Sequence, residues 1–355
     1  MNGVTRMRRI APVGLLVIGV AGCGLFGARI AAVLRGDPSP PTTGPGSPEF
    51  PHAAVTKNEF GIGAQAYLLY EPADPTPPSA PVVVFLHAFG VINPHAYGAW
   101  IGHIVRRGNS VIFPIYQDSL MDPATYTANA LAAVRDGLDM LASPGHVSPD
   151  SSKFALVAHS LGGMIAMNLA ALAESAGLPQ PRAVLLTHPA DANVSIESAP
   201  SIREGGYAAI PSTVLFLAVV GSNDRLAGEV GAIVLFDAIP QVPLENREVV
   251  KVFSDNRGTT PLVANHSAPL AADEAFDTGQ SLSEGNRLLG KRNGESGVAP
   301  DALDYFGYWK FTDALLDAAF VGVHRQYALG DTPRQTFMGV FPDGTPVHPA
   351  EVIRP

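Results

Sequence analysis

Short apolar runs alternate with longer stretches of helical periodicity along most of this chain. The runs fall at residues 64–70, 81–86, 110–116, 154–158, 183–187, 213–220 and 249–253. Several are apolar throughout, as expected of strands buried on both faces. Between them, residues 97–107, 125–141 and 164–173 read as helices, and another helix starts near Leu226. Within 125–141, Leu131, Val134, Leu138 and Leu141 recur three or four positions apart, the spacing of one helix face. Strands alternating with helices imply a parallel sheet covered on both sides. The predicted class is therefore α/β, a mostly parallel central sheet with helices on both faces. Residues 301–321 resume as an amphipathic helix with an aromatic stripe that reads as core. Residues 328–355 read as coil with Gly and Pro turns.

The junction at residues 154–163 carries the first chemical signal. An apolar run leads into Ala158-His159-Ser160-Leu161-Gly162-Gly163, and a helix follows. This is the strand–turn–helix pattern that lifts a serine hydroxyl clear of a sheet. The small residues answer a steric demand, because the strand and helix backbones nearly touch around such a turn. Ser160 is the candidate nucleophile, and the backbone N–H of Leu161 is a candidate oxyanion donor. A second donor is expected on the loop after an earlier strand. Residues 81–86 supply that strand and His87-Ala88-Phe89-Gly90 that loop, which nominates the Phe89 N–H.

The partners of such a serine follow it in the order acid, then histidine. The run 213–220 ends in Gly221-Ser222-Asn223-Asp224, which places Asp224 at a strand's carboxyl end. Asn265-His266-Ser267-Ala268-Pro269 places His266 on a loop after the last run. Ser160 would attack an acyl carbon and His266 would take and return its proton. Asp224 would fix the imidazole tautomer. Other readings stay open. Asp224 also suits an N-cap, Asp191 is an alternative acid, and Asp255 ranks below it. His87 and His159 flank strand ends and are expected to support the site. His188 shares a loop with Asp191, while His52, His95, His103, His146, His324 and His348 show no matching geometry.

On these residues the chain resembles the α/β-hydrolase superfamily of serine esterases and lipases from about residue 64 to 266. Residues 87–90, residues 158–163 and the Asp224/His266 pair carry the likeness. The segment around His266 is similar to that of bacterial cutinase-like and dienelactone-hydrolase-like members. Two departures are Ala88, where the family usually has Gly, and Ala158, in place of the first Gly of Gly-x-Ser-x-Gly. The resemblance implies an ester hydrolase. Thioester or amide hydrolysis, acyl transfer, or a non-catalytic binding role on the same fold remain alternatives.

The N-terminus changes the expected location rather than the chemistry. Arg6, Arg8 and Arg9 precede an apolar stretch at residues 10–21, the pattern of an export signal over residues 1–35. Val20-Ala21-Gly22-Cys23 resembles a bacterial lipobox, and Cys23 is the only cysteine of the 355 residues. Lipidation of Cys23 competes with an uncleaved anchor, since residues 10–28 meet the roughly 17–25 residues a membrane span needs. Cleavage elsewhere is the third outcome. All three export the domain, to the cell envelope as a membrane-attached protein in the first two cases and as a soluble secreted protein in the third. Residues 36–52, rich in Pro and Gly, are expected to form a tether, leaving residues 53–355 as one catalytic domain. Residues 188–210 and 267–300 are candidate cap or lid loops.

The net charge of −9 leaves no basic footprint for nucleic acid. The sequence has no Cys/His cluster with zinc spacing and no Gly-rich phosphate loop. These features point to a hydrolase with no cofactor and no metal. Its partners would be a small-molecule or lipid-like ester and, through the N-terminus, a membrane.

Overall fold

The computed structural model describes residues 36–117, 123–190, 206–280 and 299–354. Among them runs a single nine-stranded sheet in the order β1-β2-β4-β3-β5-β6-β7-β8-β9. The strands are β1 (Ala54–Phe60), β2 (Tyr67–Ala73), β3 (Ser79–Leu86), β4 (Ser110–Pro114), β5 (Ser148–His159), β6 (Ala183–Thr187), β7 (Leu215–Gly221), β8 (Arg247–Val252) and β9 (Glu351–Ile353). β4, β3, β5, β6, β7 and β8 are mutually parallel, while the pairs β1–β2, β2–β4 and β8–β9 at the two edges are antiparallel. The chain has the α/β-hydrolase fold expected of it.

The two faces of the sheet divide by residue parity, because successive strand side chains point to opposite sides. Val83, Phe85, Val111, Phe113, Val157, Leu185 and Leu217 pack with Trp100 and Ile101 of α1 (Gly98–Arg106) and with Phe311 and Leu315 of α5 (Trp309–Val321). Val82, Val84, Leu86, Ile112, Leu156, Leu186 and Phe216 pack on the other side. Their partners are α2 (Tyr126–Leu141), α3 (Leu161–Ala176) and α4 (Val230–Asp237). Each side thus has its own core, and the parallel strands between them send their carboxyl ends to one edge. Ligands of open α/β sheets bind at that edge.

The structure departs from the sequence expectations in the periphery. Residues 36–51 are not a free tether. The Gly46 N–H donates to Asp313 Oδ2 at 2.7 Å, Phe50 lies edge-on to His103, and Thr259 Oγ1 donates to Asp37 Oδ2 at 2.8 Å. Long-range polar contacts hold this segment although its own composition specifies no element. The tail is not all coil either, since a short helix α6 (Pro333–Thr336) precedes β9, whose three residues complete the sheet beyond β8. The helix expected over 301–321 opens with a π-helical turn, Asp304–Tyr308, before α5. Its aromatic residues Phe306, Tyr308, Trp309 and Phe311 are buried, as a core stripe should be. Most of the two candidate cap or lid loops, 191–205 and 281–298, lies outside the described residues. Of the second loop, residues 267–280 run back over the start of α1 and the residues before it, with Ala99 N–H donating to the Ala271 carbonyl and Ala271 N–H to the Ala96 carbonyl, both at 2.9 Å.

Candidate active site

Ser160 stands between β5 and α3 in a backbone conformation that a side-chain-bearing residue seldom adopts, φ 55° and ψ −122°. Its neighbours hold it there. The Ser160 N–H donates to the Thr187 carbonyl at 3.0 Å, and the Ser160 carbonyl accepts from the Ala190 N–H at 3.1 Å. Gly162 has no room for a side chain, because a methyl group there would collide with the Leu86 and His87 carbonyls. The small residues of the motif are thus explained by the closeness of β3 to α3. Strain of this kind persists only where the surroundings over-determine it, and it clusters at functional sites.

The structure brings Ser160, His266 and Asp224 together from separate loops. Ser160 Oγ lies 2.8 Å from His266 Nε2, and His266 Nδ1 lies 2.9 Å from Asp224 Oδ2. All three residues are buried, with 7–8% of their surface exposed, so the relay is shielded while the serine still reaches solvent. Asp224 also caps the turn that follows it, its Oδ1 accepting the Leu226 and Ala227 N–H groups at 2.9 and 3.0 Å. One carboxylate oxygen thus makes the capping bonds while the other faces His266. Asp255 is engaged elsewhere, paired with Arg257 and the His348 N–H. Asp191 lies outside the described residues.

Phe89 and Leu161 both carry backbone N–H groups without an acceptor among the described residues. Leu161 opens α3, so its N–H has no intrahelical acceptor. Ala88 N–H donates to Tyr97 Oη at 3.0 Å and Gly90 N–H to Gln117 Oε1 at 2.7 Å, while the intervening Phe89 N–H finds no acceptor among the described residues. The departure at Ala88 is absorbed, its methyl group buried completely.

The two flanking histidines support this frame, as expected. His159 Nδ1 accepts the Tyr97 hydroxyl at 2.9 Å and His159 Nε2 donates to the His266 carbonyl at 2.8 Å. A chain of hydrogen bonds therefore links the Phe89 loop, through Ala88 and Tyr97, to the His266 loop. Burial, then the nearby His266 and His188 rings, keeps His159 far from protonation. His87 stacks on Tyr116 with ring centroids 4.1 Å apart, and burial pushes its pKa down to about 4.

Sequence reasoning missed two residues. His188 Nδ1 lies 2.9 Å from the same Asp224 Oδ2 that meets His266, and His188 Nε2 lies 2.8 Å from the Tyr308 hydroxyl. The available signal was the place of His188, directly after a strand that neighbours the one leading to Ser160. Burial would raise the Asp224 pKa, but the His188 and His266 hydrogen bonds and charges outweigh it and hold the carboxyl well below the usual carboxylate range. His188, Asp224 and His266 also form a group whose facing ligand atoms lie within 4.8 Å of one another. Those atoms are the ones already joined in hydrogen bonds, the two imidazoles sharing one oxygen of the Asp224 carboxylate.

A family model for chlorophyllases matches residues 54–222, from the start of β1 to just past β7. The matched stretch contains Ser160 and the Phe89 loop and ends before Asp224 and His266. It identifies the framework as that of an α/β-hydrolase-type ester hydrolase. No curated protein matches the chain.

Proposed function

From an α/β-hydrolase framework shared with chlorophyllases, we propose that this protein is a serine carboxylic-ester hydrolase working through an acyl-enzyme. The hydrogen-bonded line Ser160–His266–Asp224 carries this reading. Ser160 Oγ attacks the ester carbon and its proton passes to His266 Nε2. The new oxyanion sits against the Phe89 and Leu161 N–H groups. Collapse of this intermediate breaks the carbon–oxygen bond, and the alcohol leaves with the proton from His266. Water then repeats the sequence, releasing the acid and restoring Ser160. Asp224, ionised throughout, keeps the His266 proton on Nδ1 and stabilises the imidazolium.

The direct test is covalent capture. A fluorophosphonate probe should add one equivalent, and peptide mass mapping should place it on Ser160. An adduct at another residue, or ester turnover in fully probe-resistant protein, overturns the assignment. A panel of carboxylic esters then ranks acyl and alcohol groups, with chlorophyll included because the matched family is named for it.

The proposed location is the cell envelope, through lipidation of Cys23, which lies outside the described residues. No helix among the described residues is long and apolar enough to cross a membrane. Acyl chains on Cys23 would add about 0.8 kcal/mol of membrane affinity per buried CH₂. Cys23→Ser is expected to block lipoprotein processing and leave a precursor of higher mass. Unchanged processing and unchanged membrane retention would favour a permanent anchor at residues 10–28.

A further inference from the structure

Two irregularities of the backbone and one glycine surround His188. The residue itself has φ 47°, a left-handed conformation uncommon for a side-chain-bearing residue. Gly221, at the end of β7, leaves the space its ring occupies, since a methyl group there would collide with His188 Cε1. The π-helical turn Asp304–Tyr308 ends in Tyr308, whose hydroxyl meets His188 Nε2 at 2.8 Å. Single π-turns inside helices cost hydrogen-bond geometry and are frequent at functional sites. His188 Nδ1, on the other side of the ring, lies 2.9 Å from Asp224 Oδ2.

The donor arithmetic fixes the protons. Both imidazoles face the same carboxylate oxygen through Nδ1, so both Nδ1 atoms carry hydrogen. His188 is fully buried, and that burial, only partly opposed by Asp224, keeps it neutral. Its Nε2 is then an acceptor, and the Tyr308 hydroxyl is the donor. Burial, reinforced by Asp304, Asp301 and Asp224, holds Tyr308 protonated. Tyr308 thus locks the His188 tautomer, and His188 in turn shares the carboxylate with His266.

Resting on the esterase reading above, we propose that His188, locked by Tyr308, is a positioning residue that holds Asp224 and tempers its pull on His266. A carboxylate oxygen that accepts two imidazole N–H groups has less charge to offer either one. Removing the His188 donor concentrates that charge on His266 and stabilises its protonated form. Turnover needs His266 unprotonated, so the acid limb of the rate profile moves to higher pH. In the wild-type protein the two histidines hold Asp224 well below the usual carboxylate range against burial, and without His188 the carboxylate keeps His266 and the Leu226 and Ala227 N–H groups as donors. The other titratable groups around the cluster are His159 at the end of β5, Tyr97 before α1, and Asp301 and Asp304 behind Tyr308.

The test compares His188→Phe, which keeps a ring without a donor, with His188→Asn, which restores an N–H near the Nδ1 position. His188→Phe should lower kcat about tenfold with KM nearly unchanged, the scale of one hydrogen bond to a charged group. Its acid limb should move to higher pH. His188→Asn should return the limb towards wild type. A core-filling role predicts the reverse pattern, lower stability with an unmoved limb and no rescue by Asn, and that result overturns the proposal. Nitrogen-15 NMR of histidine-labelled wild-type protein needs no variant to fold. It should show His188 neutral with its proton on Nδ1, and a proton on Nε2 overturns the proposal equally. Mapping the fluorophosphonate adduct in the same variants separates the two levels. An adduct on Ser160 with an unmoved limb refutes the positioning role alone, whereas an adduct elsewhere refutes the triad and this role together.

Discussion

Ser160→Ala is expected to remove ester turnover by about a millionfold in kcat, the scale of losing a triad nucleophile, and to abolish fluorophosphonate labelling. The protein should remain folded. Alanine keeps the Cβ and its demand on the backbone, and the bonds that hold the turn run from the Ser160 N–H and carbonyl, which alanine retains. Among the described residues, the hydrogen bond deleted is Oγ to His266 Nε2. Substrate affinity should therefore persist while the acyl-enzyme cannot form. Turnover of a p-nitrophenyl ester, circular dichroism and probe labelling on one preparation read the three quantities separately. Near-normal turnover in folded Ser160→Ala would mean that the strained serine is not the nucleophile.

The centre of this fold was legible in the sequence because its signals are local. The run 183–187 coincides with β6, and the strand–turn–helix at Ser160 could be read from nine consecutive residues. Asp224 and His266 were readable because parallel topology sends strand ends to one edge, so chain order stands in for distance. The missed features depend on contacts made across the chain. β9 is three residues long and becomes a strand only because β8 offers an open edge. The segment at 36–51 lies on the domain through Asp313, Thr259 and His103, far away in sequence.

His188 shows the same limit inside the site. As sequence it is one histidine among ten, on a loop beside a competing acid. Its meaning comes from a left-handed backbone, a glycine on another strand and a π-turn some hundred and twenty residues onward. Hydrophobic periodicity carries none of these. The aromatic stripe read as core was core, yet it also held Tyr308, whose hydroxyl serves the cluster. A residue can fill the interior with its ring and act through its polar end.

Asp224→Asn is expected to preserve the fold and reduce kcat by about four orders of magnitude, the scale of a misplaced imidazole tautomer in a triad. The hydrogen-bond geometry gives the reason. Oδ1 accepts two backbone N–H groups and Oδ2 accepts two imidazole N–H groups, so all four neighbours are donors. An amide has one accepting oxygen and one donating nitrogen, and the capping pair of N–H groups claims the oxygen. The amide nitrogen then faces His266 Nδ1, which can meet it only by giving up its hydrogen. His266 consequently carries its proton on Nε2, where it opposes Ser160 instead of accepting from it. His188 is forced the same way and must turn its own Nε2–H towards the Tyr308 oxygen. Both imidazoles thus shift tautomer together, which NMR can detect independently of turnover. Asp191→Asn, four positions after β6 in the sequence, should be mild by comparison. A reversal, with Asp224→Asn active and Asp191→Asn dead, would move the acid to Asp191 and leave Asp224 as a helix cap.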